Sequence, residues 1–249
     1  MTPKTGHSGE GHSGEEGSLA WLLLTLKKYS TLKIYSLMLD SSTMAKRSYR
    51  QNCALARASD VIGERWTLLL LRDLLVSPRR FNQLLGSQRG MGTNLLASRL
   101  KDLEAADIVE RRVGADGARL YALTERGRAL EPGVLALIRW GLTHGPENRP
   151  GDHHRDDWDL LAIKSMFHPE RATDLNVCVQ FDSPELEGWA RIEGGEMTIG
   201  IGQVEQADVL INSTIADLFV NAEDPLDLVA DGERSSLQGL MHAFALQHR

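Results

Sequence analysis

GMGTNLLASRLKDLEAADIVERRVGADGARLYALTERG, residues 90–127, decides the fold. At 100° per residue, Leu96, Leu100 and Leu103 stack on one side of a helix, with Leu95 at its edge. The spacing predicts a helix over 93–106, its first turn capped by the Thr93 hydroxyl. Asn94, Ser98 and Lys101 then face away from the leucines. Two alternating runs follow, DIVERRV (107–113) and RLYALT (119–124), joined by GADGA. An Asp-Gly pair between such runs signals a hairpin, here loaded with Arg111, Arg112 and Arg119.

The flanking segments extend the pattern. From Asn52 the chain reads as helical, with Leu55, Ala58 and Ile62 on one face and Gly63 as an interruption. ERWTLLLLRDLL (64–75) places Trp66, Leu69, Leu70 and Leu74 on one stripe, and Ser77-Pro78 ends it. A short helix is expected near 80–85 with Phe81, Leu84 and Leu85 inward, then a glycine-containing turn over 86–92. After the hairpin, Thr124 opens a helix to about Leu142, kinked at Pro132-Gly133. Val134, Leu137, Ile138 and Gly141 line one side of it. Helix, short helix, turn, longer helix and basic hairpin, in that order, make a winged helix-turn-helix.

Charge is segregated along the chain. Residues 44–145 hold 17 Lys/Arg against 10 Asp/Glu, a net +7, whereas 146–249 hold 7 against 20, a net −13. A basic block joined to an acidic one suggests two modules with different partners. A B-DNA major groove about 12 Å wide admits one helix. Thr93, Asn94, Ser98 and Lys101 are the expected groove residues. Arg111, Arg112 and Arg119 are expected to hold the wing on phosphate, and Arg79, Arg80, Arg89 and Arg99 to flank the helix. The expected partner is double-stranded DNA.

Other classes are weakly supported. No run of 18 apolar residues is present, so no membrane span is expected. Two cysteines, Cys53 and Cys178, are too few for a disulfide framework, which makes a reducing, cytoplasmic setting the default. No Ser-His-Asp order, phosphate loop, paired-carboxylate motif or metal-ligand spacing points to an enzyme, a cofactor or a metal. Residues 1–17, with the near-repeat GHSGE, have the composition of a disordered segment. Met44 precedes the patterned region directly, so 1–43 is expected to be a disordered or non-native extension.

CALARASDVIGERWTLLLLRDLL (53–75), RRFNQLL (79–85), GMGTNLLASRLKDLEAADIVERR (90–112) and YALTERGRALEP (121–132) together resemble the HxlR-type winged-helix transcription regulators, relatives of the MarR group. The resemblance covers about 44–142. It implies homodimers on palindromic operators that respond to a small molecule or an oxidant. It also implies pairing through the first helix and the helix after the wing, here Leu55, Ile62, Leu130, Val134, Leu137 and Ile138. Cys53 has two readings: a redox sensor whose pKa Arg50 and Arg57 depress, or a small packed residue near the dimer interface.

Residues 143–158 (THGPENRPGDHHRDDW) read as a linker. His153 and His154 are adjacent, which suits neither helical nor zinc-knuckle ligand spacing. Beyond it, 159–249 reads as a small α+β domain. A helix is expected over Leu160–Phe167, strands at 175–181, 188–193, 196–201 and 208–212, a helix capped by Thr214, and further helices at 225–230 and 236–246. ADVLINSTIADLFVNAEDPLDLV (207–229) is similar to the sterol carrier protein type 2 fold, which implies an apolar cavity. Val179, Ile199, Ile211, Leu218, Phe219, Leu240 and Phe244 are the candidate lining residues, each otherwise a plain core residue. The fold class expected is therefore mainly α with a β-wing, followed by a small α+β domain. The function expected is a dimeric DNA-binding regulator, modulated by an apolar small molecule or by thiol oxidation. The alternative is an apolar-ligand carrier whose winged-helix part serves for dimerisation.

Overall fold

The computed structural model describes residues 48–215, 229–232 and 234–244. The first part runs α1 (Ala54–Ile62), α2 (Thr67–Val76), α3 (Phe81–Ser87), α4 (Thr93–Ala105), β1 (Val109–Val113), β2 (Arg119–Leu123), α5 (Glu125–Arg128) and α6 (Glu131–His144). The second part runs α7 (Asp156–Met166), a 3-10 turn (Pro169–Arg171), β3 (Val177–Ser183), β4 (Leu186–Glu193), β5 (Glu196–Ile201), β6 (Val209–Ile211), β7 (Val229–Gly232) and α8 (Arg234–Ala243). The architecture is a helical winged-helix region followed by an α+β region. Among the described residues, no helix is long and apolar enough to cross a membrane.

The leucine spacing of α4 works as its sequence implies. Leu96, Leu100 and Leu103 are buried with Leu70, Leu71, Leu74 and Leu84 of α2 and α3, and with Ile108, Val109 and Leu123 of the hairpin. β1 and β2 pair antiparallel, Val109 opposite Leu123 and Val113 opposite Arg119. The tip closes with the Gly114 N–H donating to Ala118 O at 2.8 Å, while Gly117 takes a φ of +76° that favours glycine.

Several local expectations shift. Trp66 has a φ of +79°, so α2 starts at Thr67 and Trp66 is not part of its stripe; the helix presents a different side to the core than the 64–75 spacing implied. Leu71 is therefore buried, and Leu69 is 40% exposed. Thr93 is the first residue of α4 and Gly92 holds the cap position, with no side-chain cap bond. Thr124 does cap, accepting from Gly127 N–H at 3.0 Å, but the helix it opens is α5 alone. The chain breaks at 129–130, and Pro132 sits in the first turn of a separate helix, where its missing N–H costs nothing. In α1, Leu55 and Ala58 are exposed and Ala56 is buried.

The acidic half forms a five-stranded sheet of order β5-β4-β3-β6-β7. Neighbours are antiparallel except β3 and β6, which run parallel with Val179 opposite Val209. Val229–Gly232 is an edge strand on β6, where a helix over 225–230 was expected, and 225–228 lie outside the described residues. Alternating residues of β4 turn Leu186, Ala190 and Ile192 to the core. On the opposite face Trp189 lies flat on Gly200, whose missing Cβ would stand 2.5 Å from the indole.

The first three residues of α7 lie inside the expected linker, with Asp156, Asp157 and Asp159 in its first turn, where carboxylates favour the helix dipole. Its apolar side joins the sheet to the first part of the chain. Leu160, Leu161 and Ile163 share one cluster with Val177, Val179 and Phe181 of β3 and with Val76 of α2. Leu75, Leu135 and Ile138 pack against that cluster from α2 and α6. Lys164 Nζ reaches Glu131 Oε1 at 2.6 Å, and Arg139 Nε donates to Ser165 O at 2.5 Å.

Asp159 gives this junction a pH dependence. Burial pushes its carboxyl from 3.8 to about 6, helped by the nearby Asp156 charge and opposed by His154. The folded chain thus holds this proton more tightly than the unfolded one. Its stabilising contribution is complete below about pH 4 and is lost as pH rises through about 6. Asp159→Asn should raise the thermal midpoint at pH 7.5 by about 2 °C and leave it nearly unchanged at pH 4. Thermal unfolding followed by circular dichroism at the two pH values checks this.

Candidate nucleic-acid interface

α4 carries the candidate reading edge. Asn94, Ser98 and Lys101 are exposed on one side, with the exposed Ala97 and Ala105 beside them and Thr93 at the first turn. The buried leucines opposite fix the rotation of the helix about its axis. Neither the amide of Asn94 nor the hydroxyl of Ser98 has a hydrogen-bond partner among the described residues, so both are free to meet a base edge.

The basic residues fall into three groups. Arg89, Lys101 and Arg119 are exposed and have no carboxylate within ion-pair distance among the described residues. Arg80, Arg111 and Arg112 are exposed but matched. Arg111 donates from Nε and Nη2 to Glu104 at 2.6 and 3.1 Å and lies over the Tyr121 ring. Its hydrogen bond to Glu104 holds its pKa above the ordinary guanidinium value. Arg112 pairs with Glu110 at 2.5 Å, and Arg80 with Asp116 at the hairpin tip.

The third group corrects two expectations. Arg79 and Arg99 do not flank the helix on the outside; their side chains are only 12% and 19% exposed. Arg99 lies five residues past Asn94, a rotation of about 140°. That turns it back to Glu64 at 2.8 Å and Asp102 at 3.2 Å. Arg79 sits in the turn after α2, and its backbone exchanges hydrogen bonds with Tyr121 at 2.9 and 2.8 Å. Its guanidinium then meets Asp157 of α7 at 2.5 Å.

Sequence reasoning missed the carboxylates of this surface. Glu110 and Arg112 were within reach, because alternate residues of a strand share a face. Glu104–Arg111 and Arg80–Asp116 join different elements and need the folded hairpin. It also missed Asp73, a buried carboxylate behind the interface. Asp73 accepts from Arg72, Ser87, Gln88 Nε2 at 2.6 Å and Trp158 Nε1 at 2.9 Å.

Cys53 is exposed at the N-cap position of α1. The backbone N–H groups of Ala56 and Leu55 hold its pKa below the ordinary thiol value, and the Arg57 charge adds to this. Arg57, rather than Arg50, is the arginine that acts on it. Of the residues expected to line an apolar cavity, Val179, Ile211 and Phe244 are buried in the core, and Ile199 and Leu240 pack against it. They serve as packing atoms between the sheet, α7 and α8. Leu218 and Phe219 lie outside the described residues. His154 Nε2 stands 3.2 Å from Asp159 and 3.6 Å from Asp156, and His153 packs edge-on to Trp158. Among the described residues no group of three or more His, Cys, Asp or Glu is placed to hold a metal.

The expected dimer face is partly rearranged. Val134 is buried, Ile138 packs on the α7 cluster, and Leu130 and Ile62 pack on the winged-helix core. Leu55 and Leu137 remain 74% and 53% exposed, joined by Trp140 at 59% and Leu142 at 58%.

Comparison with known proteins adds sequence relatives over the first part of the chain. The sequence model of the HxlR-like helix-turn-helix family matches residues 61–149. An uncharacterized HTH-type transcriptional regulator of Mycobacterium tuberculosis is 39% identical over 95 residues, 37% of this chain and 60% of that protein. The chain thus spans about 60% of the length of that relative. The HTH-type transcriptional regulator YodB of Bacillus subtilis is 34% identical over 85 residues, 33% of this chain and 76% of YodB. The solved quinone-bound form of YodB is 33% identical with a TM-score of 0.31, covering 35% of this chain and 93% of that one. On the sequence matches, the chain belongs to the HxlR-like helix-turn-helix family.

Proposed function

We propose that the chain is a sequence-specific transcriptional regulator that binds double-stranded DNA as a homodimer, and that its operator is palindromic. One observation carries the reading: Asn94, Ser98 and Lys101 form an exposed polar edge on a helix braced from behind by buried leucines, beside a basic hairpin. The edge enters the major groove, and the hairpin lies along the phosphates. The bare apolar side chains of α1 and α6, Leu55, Leu137, Trp140 and Leu142, support pairing of two copies. A two-fold dimer then reads half-sites about 10 bp apart or a multiple of that. The membership of the family supports the assignment to transcription.

Cys53 is the proposed point of modulation. The thiol is exposed at a helix start and its pKa is lowered there by the backbone N–H groups of Ala56 and Leu55, which favours reaction with oxidants.

A fluorescence titration against an operator selected from random DNA tests these statements together. Binding should saturate at two chains per site and weaken after diamide treatment of the wild type but not of Cys53→Ser. Asn94→Ala should lose about 1–3 kcal/mol and relax one base preference. Arg119→Ala should lower the salt slope by about one unit, because its charge is free to meet a phosphate. Arg99→Ala should leave the slope unchanged, because its charge is already matched by Glu64 and Asp102. Equal affinity for the selected site and for random duplexes would refute sequence-specific binding.

A further inference from the structure

Two consecutive residues of α7 reach two separate parts of the proposed DNA-contacting surface. Asp157 holds Arg79 at 2.5 Å, and Arg79 is joined through its own backbone to Tyr121 of β2 in both directions. The path from α7 to the wing therefore has a single side chain in the middle. Trp158 donates its indole N–H to Asp73 at 2.9 Å. The other oxygen of Asp73 receives Gln88 Nε2 at 2.6 Å and the Ser87 hydroxyl. Ser87 and Gln88 open the turn that leads into α4. The Arg72 guanidinium lies 3.5 Å from the centre of the Trp158 ring and also donates to Asp73, which locks the indole in place. Asp157 accepts two further bonds from Arg155, at 3.0 Å each, and is buried. Both residues lie beyond the segment that the family model matches.

We propose that Asp157 and Trp158 are positioning residues for the DNA-contacting surface: Asp157 sets the wing through Arg79, and Trp158 sets the entry to α4 through Asp73. The acidic half of the chain thereby fixes the spacing between wing and reading helix. A buried charge pair suits this task, because its two members tolerate only a narrow geometry once water is excluded. The proposal rests on the DNA-binding reading for its consequence, and on the contacts alone for its structural part.

The test uses the full chain with the isosteric Asp157→Asn, with Trp158→Phe, which keeps an aromatic ring but removes the indole N–H, and with Arg79→Gln as the reciprocal partner. Hydrogen–deuterium exchange is followed in the hairpin (109–123), the turn before α4 (87–92) and the sheet core (177–192). Asp157→Asn should accelerate exchange in the hairpin, and Trp158→Phe in the turn, with the sheet core unchanged. Operator affinity should fall about tenfold in each, with the salt slope preserved. Arg79→Gln combined with Asp157→Asn should cost no more than either alone, since both break one link. Unchanged exchange in hairpin and turn would overturn the proposal, as would acceleration spread equally into the sheet core. Additive losses in the double variant would overturn the Arg79 link. Local acceleration in a chain whose wild type binds no DNA would support the positioning contacts and refute the DNA-binding reading instead.

Discussion

Asp73→Ala should lower the unfolding free energy by about 3–5 kcal/mol, because it removes the carboxylate shared by four buried or half-buried side chains. Asp73 is buried in α2. Oδ1 receives Arg72 Nε at 3.1 Å, Arg72 Nη2 at 2.9 Å and Trp158 Nε1 at 2.9 Å. Oδ2 receives Gln88 Nε2 at 2.6 Å and the Ser87 hydroxyl. Alanine removes the carboxylate that Arg72 pairs with and strands the Trp158 indole N–H, while the Gln88 amide keeps only its longer contacts to Leu69 O at 3.5 Å and Ser87 Oγ at 3.2 Å. Asp73→Asn keeps one carbonyl oxygen and should cost less than Asp73→Ala. It still loses the charge that Arg72 faces. Urea unfolding of the two variants separates the lost acceptor from the lost charge. An Asp73→Ala loss below 1 kcal/mol would mean that water satisfies these donors, and that the carboxylate is not the hub its contacts describe.

The second large effect is expected at Leu96. This side chain is fully buried in the winged-helix core, and Leu96→Ala should cost about 2–5 kcal/mol through lost contact and a residual cavity. Its neighbour makes the control. Leu95 is 37% exposed at the edge of the same helix, so Leu95→Ala should change stability by less than about 1 kcal/mol. The pair therefore separates bracing from surface contact on adjacent residues. Operator affinity of Leu96→Ala should fall even at temperatures where the variant stays folded, because the reading edge loses the packing that fixes its rotation. Thermal unfolding and the DNA titration, run on the same samples, check both statements.

How far the sequence reached is clearest around α4. Three leucines at helical spacing and an Asp-Gly turn between alternating runs are local signals, and both elements formed where periodicity placed them. The side of α4 that faces solvent followed from the same count. Failures arose where a distant partner or a single backbone angle decided the outcome. The left-handed Trp66 dropped out of α2, and the helix turned Leu71 rather than Leu69 to the core. Pro132 split one expected helix in two, because a first-turn proline is better placed than an internal one. VADG at 229–232 belongs to a short apolar run that suits a strand as well as a helix, and the edge of β6 settled it. Arg79 read as a surface cation because its partner lies 78 residues away, and nothing local marks a basic turn residue as inward-facing. The dimer face was read from helical spacing without knowing that α7 covers one side of α6. Ile138 was consequently claimed by the core, and Trp140 was overlooked.

The packing of α7 across α2 and α6 bears on how the protein is divided for experiment. A fragment cut near residue 149, where the family match ends, would keep every candidate DNA contact yet bare Leu75, Val76, Leu135 and Ile138 to water. It would also leave Arg79 and Asp73 without Asp157 and Trp158. Such a fragment is expected to be sticky and misshapen at its wing, so weak operator binding by it would report on the cut rather than on the intact chain.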